Sequence, residues 1–189
     1  MALITSQTLI ASISLFHISL GFFFLTNPST VSDQILVQVL GQSMGIPHAR
    51  GFDAQSHALG FLALVLAFLG FGDLFSLGMP EELASLYYWG TQAPLRALFS
   101  IFLTFYIYTF GPSSPLFGSN NRRGYNPSYS KATWGGESLK NRVLFTFVFI
   151  EMIAWFWVWV TLREERQGVV DRMRRKNARA SAYLHEHDE

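Results

Sequence analysis

Residues 143–162 form a run of twenty in which Glu151 is the only charged side chain, set among Phe, Val, Ile, Trp and Leu. As a helix this run rises about 30 Å, the thickness of a bilayer's hydrocarbon core. Such a segment is too long and too evenly apolar for the amphipathic pattern of a soluble surface helix. It reads as a membrane span that carries one carboxyl group near its middle.

Three more windows have the same character, over residues 5–25, 56–78 and 87–110. The first has no basic leader and no small-x-small cleavage pattern, so it reads as a retained anchor rather than a signal peptide. With 143–162 they predict an all-α, polytopic membrane protein of four transmembrane helices, with both ends of the chain on one side. The composition agrees, at 50% hydrophobic, 16% aromatic and only 14% charged residues, more apolar surface than a soluble domain of 189 residues can hide. With no cysteine, disulfides, thiolate metal sites and a cysteine nucleophile are excluded.

The links differ in kind. Residues 30–44, with Val31, Ile35, Val39 and Leu40 at near-helical spacing before Gly45 and Pro47, predict a short amphipathic helix at the membrane interface. An acidic turn around Glu81 and Glu82 is short enough to join the second and third spans as a tight antiparallel hairpin. Residues 111–141, rich in Gly, Ser, Asn and Pro, predict a flexible loop. The chain thus divides into a membrane domain over 1–163 and a tail over 164–189, basic and then acidic. Arg172, Arg174, Arg175 and Lys176 form a basic patch suited to anionic lipid headgroups. A run this short, with no aromatic platform, does not indicate nucleic acid. Seven basic residues on the tail's side face six on the other, so the positive-inside count is nearly balanced; the clustering in the tail favours a cytosolic tail.

Each proposed span carries one ionisable residue well inside it: His17, Asp73, Arg96 and Glu151. A charge at the bilayer centre costs about 2.5–3.5 kcal/mol even on lenient scales, so these groups should face other helices. Asp73 and Arg96 flank the short turn at depths differing by roughly 6 Å, a gap that an arginine side chain covers, which predicts a salt bridge. His17 and Glu151 lie near the centres of their own segments and are expected to meet at the midplane. Small residues back this inward face: Ser14 and Gly21; Ala63, Ala67 and Gly70; Ala93, Ala97 and Ser100. Tyr87, Tyr88 and Trp89, with Trp155, Trp157 and Trp159, read as an aromatic belt.

Three stretches, SDQILVQVLGQSMGIPH, TQAPLRALF and FIEMIAWFWVWVTLREER, make the chain resemble the fungal "increased loss of mitochondrial DNA protein 1" family over roughly residues 1–167. The resemblance implies a multipass protein of the endoplasmic reticulum membrane whose loss leads to loss of the mitochondrial genome. It implies no particular reaction, so no catalytic residue is carried over and none is assigned.

Three function classes fit these residues. The first is a non-catalytic membrane subunit or scaffold that supports endoplasmic reticulum homeostasis and, indirectly, mitochondrial DNA, with the bilayer and other membrane proteins as partners. The second is a lipid- or sterol-acting enzyme or lipid-binding protein using Glu151, His17 and Asp73 as acid and base. The third is an ion-conducting channel or transporter working as an oligomer. Enzyme activity is the less favoured reading, for no nucleophile motif or phosphate loop accompanies the carboxylates. His48 and His57 lack partners at metal spacing, so no metal and no cofactor is expected.

Overall fold

The helix boundaries follow from local chemistry. The Thr5 side chain accepts from Thr8 N and opens α1 (Ser6–Thr26), which stops where Pro28 forces Asn27 out of helical geometry. After a single turn, α2 (Ser29–Ser32), comes α3 (Ile35–Ser43). Its end is a Schellman motif: Ile46 N donates to Gly41 O, Gly45 N donates to Gln42 O, and Gly45 takes φ 65°. Ser56 caps α4 (His57–Ser76) by accepting from Leu59 N. A π turn over Ala84–Tyr88 leads into α5 (Trp89–Thr109). Asn141 Oδ1 accepts from Leu144 N at the start of α6 (Arg142–His187).

The computed structural model describes residues 4–48, 50–80, 83–109 and 139–187, with side chains as far as 179. The flexible loop expected over 111–141 falls outside the described residues except for its last three, as do Glu81 and Glu82 of the acidic turn. Among the described residues all regular structure is helical. Three helices are long and apolar enough to cross a membrane: Ser6–Thr26, His57–Ser76 and the stretch Arg142–Arg179. α5, with Pro94 and Arg96 inside it, is not one of the three.

The helices alternate in direction. Ser6 meets Glu165 at one end, where Arg166 also reaches the π turn through Leu86 O. At the other end Gln55 reaches Thr26 O and Arg142 reaches Ile46 O. Within this up-and-down arrangement α1 packs along α4, and α5 along α6. The α1–α4 contact is close because the residues are small: a Cβ on Gly21 would lie 2.7 Å from Ala63 O, and one on Gly70 2.6 Å from Ser14 O.

Three expectations need correcting. The helices flanking the acidic turn, α4 and α5, are not a packed hairpin; each packs mainly on a helix distant in sequence. The amphipathic helix over 30–44 is broken at Asp33–Gln34, where Gln34 turns to ψ 134° and the Gln38 amide donates to Ser32 O. Of its anticipated apolar stripe, Ile35 and Val39 face outward, 80% and 58% exposed, whereas Val31 is buried, and on α3 it is Val37 and Gly41 that face α6. The reason is Arg142, which lies over Gly41, where any Cβ would collide with its Cγ. Its guanidinium donates to Ile46 O at 2.8 Å and Gln38 Oε1 at 2.9 Å. Finally, Trp89 and Trp155 are core residues, 2% and 1% exposed, while Tyr87, Trp157 and Trp159 stay exposed.

Candidate functional site

The four ionisable residues read from the sequence lie on four different helices and form two pairs. His17 of α1 places Nε2 2.9 Å from Glu151 Oε1 of α6, with both side chains buried. Arg96 of α5 makes a two-pronged contact with Asp73 of α4: Nη1 donates to Oδ2 at 2.6 Å and Nη2 to Oδ1 at 2.9 Å. That fork-on-carboxylate geometry is the strong form of an arginine ion pair.

Trp155 joins the two pairs. One turn beyond Glu151 on the same helix face, its indole Nε1 donates to Glu151 Oε2 at 2.6 Å. The Arg96 guanidinium carbon stands 4.6 Å from the centre of the Trp155 ring and 5.6 Å from that of Trp89. The two indoles stack at 5.7 Å. The result is one chain of contacts, His17–Glu151–Trp155–Arg96–Asp73, that touches all four helices. Sequence reading missed the Trp155 link by assigning this tryptophan to an interfacial belt. The signal was present, since residues 151 and 155 are four apart and therefore neighbours on a helix.

The electrostatics follow from this closure. A charged group in hydrocarbon is tolerated when it is paired and its remaining polar atoms are hydrogen-bonded. Both oxygens of Glu151 and both of Asp73 are hydrogen-bonded, and Arg96 adds two aromatic faces to its carboxylate. The buried polar atoms without a hydrogen-bond partner include His17 Nδ1 and Trp89 Nε1. Pro94 supplies no N–H to the helix, and the preceding π turn is braced by Arg166, which donates to Leu86 O at 3.2 Å and lies against Gly90.

A second polar contact ties the ends. Glu165 accepts from Ser6 N at 2.9 Å and from Ser6 Oγ, so a carboxylate of α6 caps the N-terminus of α1, where the helix dipole favours negative charge. Arg172, Arg174, Arg175 and Lys176 are exposed on the extension of α6, away from the interior chain of contacts. His48 pairs with Asp53 at 3.0 Å on the surface. Among the described residues no three His, Asp or Glu side chains are grouped to hold a metal. An open groove of about 380 Å³ between α1 and α6 includes Glu151 and Ser12 in its wall.

The fold and its interior define an all-α protein of the helical membrane class, its polar groups turned to one another inside the bundle. The chain belongs to the family described as increased loss of mitochondrial DNA protein 1, whose family model matches residues 4–172. No curated protein and no solved structure matches it.

Proposed function

We propose that this chain is a four-pass protein of the endoplasmic reticulum membrane that acts without catalysis, as a subunit or scaffold, and supports mitochondrial DNA maintenance indirectly. The observation that carries the reading is the mutual pairing of the interior ionisable side chains. His17, Asp73, Arg96 and Glu151 make their contacts with one another and with Trp155. Glu151, the best candidate acid, has both oxygens occupied. Conduction would need these side chains to line a passage, whereas they point at one another. The fourth crossing is assigned to α5 because it runs antiparallel along α6 and its one internal charge, Arg96, is neutralised by Asp73. The link to the mitochondrial genome is supported by the family's description; residence in the endoplasmic reticulum rests on the resemblance read from the sequence.

Glu151→Gln in the intact protein tests the reading. A structural role predicts lower abundance, or a smaller complex on gentle detergent extraction, in proportion to any loss of function. Normal abundance and an intact complex with function abolished would argue for chemistry at the carboxyl group. The groove beside Glu151 gives that second reading, a lipid-acting enzyme, its route for a substrate. A changed lipid profile in the same variant would favour it.

A further inference from the structure

α1 and α6 approach each other less closely than either packed pair, and the seam between them holds a cavity of about 290 Å³. On α1 its wall is Phe16, Ser19, Leu20 and Phe23, one helical stripe. On α6 it is Val143, Thr146, Phe147 and Ile150, the matching stripe. Seven residues at 1.5 Å make the slot about 10 Å deep, less than one leaflet of the hydrocarbon core. It runs from the level of α2 and α3, where Thr30 and Gln34 supply polar atoms, to the Phe16–Phe147 ring stack at 6.4 Å. The Phe147 ring then lies 5.9 Å from that of His17.

We propose that this slot is a binding site for one hydrocarbon chain of a membrane phospholipid, its polar end at Thr30 and Gln34. Three observations choose that occupant. The polarity runs as an amphiphile requires, polar at the outer end and apolar within. Leu36 and Val37 wall the outer part of the slot, so a spanning partner helix laid along the seam would have to displace α3, whereas a chain ending at headgroup level would not. Thr146, on the wall of the slot, holds Oγ1 buried without a hydrogen-bond partner one turn inside Arg142, about 6 Å deep, where rotation about its Cα–Cβ bond would offer the hydroxyl to a lipid ester carbonyl. An unsatisfied buried hydroxyl at a cavity wall is the kind of group that marks a ligand or water position. Because the slot ends on the rings against His17, an occupied slot holds α1 and α6 at the spacing the His17–Glu151 contact needs.

The site rests on the membrane placement proposed above, and the experiment separates the two. The full chain is placed in nanodiscs of phosphatidylcholine whose acyl chain carries a photoactivatable diazirine, and labelled peptides are mapped by mass spectrometry. Phe61 and Phe68 on the outer face of α4, 71% and 78% exposed, report ordinary lipid contact. Labelling of 16–23 and 143–150 should exceed that of α4 and fall to the α4 level in Ser19→Trp. Gln34→Ala, at an exposed position, should lower it without filling the slot. Equal labelling of seam and α4, unchanged in both variants, overturns the site and leaves the membrane reading intact. No labelling of α4 overturns the placement itself. Crosslinks from the seam to another protein's helix overturn the choice of a lipid chain.

Discussion

At the scale of single residues, Glu151 and Trp155 decide how the interior is held. Glu151→Ala removes the acceptor of Trp155 Nε1 and the partner of His17 Nε2 at once. Leaving a buried partner uncompensated costs about 3–5 kcal/mol, which thermal unfolding in detergent should register as a large drop in midpoint. Glu151→Gln keeps an acceptor for Trp155 and a polar partner for His17, and should lose less. Trp155→Phe keeps the ring beneath Arg96 but removes the donor to Glu151 Oε2; about 1–3 kcal/mol should be lost, with little change in packing. Which ionisable residues meet could be read from the sequence, because each proposed span held one and depth along a helix follows from residue count. The joining of the pairs through Trp155 could not be read with the tryptophans treated as a class. Trp155, Trp157 and Trp159 alternate around the helix, and only the neighbours brought by α1 and α5 put the first inside and leave the others out.

At the scale of elements, three spans were legible from hydropathy and length, but the partners of the helices were not. Short linkers suggest that α4 pairs with α5, whereas the close partners are α1 with α4 and α5 with α6. Gly21 and Gly70 explain the first pair, since their bare backbones let α1 and α4 approach where a Cβ would collide. The amphipathic segment departs from expectation in being broken at Asp33–Gln34. Arg142 binds over Gly41 and presents Ile35 and Val39 outward, as suits a helix in the interface. Gly41→Ala should displace Arg142, at about 1–3 kcal/mol for overpacking. It should loosen α3 first, seen as faster hydrogen exchange over 35–43 with exchange in α4 unchanged. The extension of α6 has its own logic. Arg172, Arg175, Lys176 and Arg179 recur at spacings of three and four and share one face, while the unbroken helix carries them about 10–21 Å beyond Glu165. Headgroup contact therefore requires α6 to lean. Exchange over 169–179 should slow in discs containing anionic lipid, and the effect should fade with salt as screening shortens the reach of surface charge. Changing the four to Gln should abolish it.

At the scale of the whole molecule, the polar chain links two packed pairs that otherwise share few close contacts. α1 with α4 supplies His17 and Asp73; α5 with α6 supplies Arg96, Glu151 and Trp155. Each ion pair therefore crosses between the two halves, and the Trp155 indole, hydrogen-bonded to one and stacked beneath the other, lets a change in either be felt by both. If the two crossings were independent, Asp73→Asn and Glu151→Ala would add, within the ≈ 0.3–0.5 kcal/mol typical of separate sites. A shared element predicts otherwise. Loss of Glu151 frees the indole to shift, which weakens the aromatic face under Arg96; loss of Asp73 lets Arg96 move off the indole. The double variant should then lose less stability than the sum of the single ones, by about 0.5–3 kcal/mol, in detergent unfolding of the full chain. Repeating the cycle in a Trp155→Leu background should bring it back to additivity. Additive losses in the native background would mean that the halves are held by two separate contacts, and that Trp155 is a packing residue that happens to lie between them.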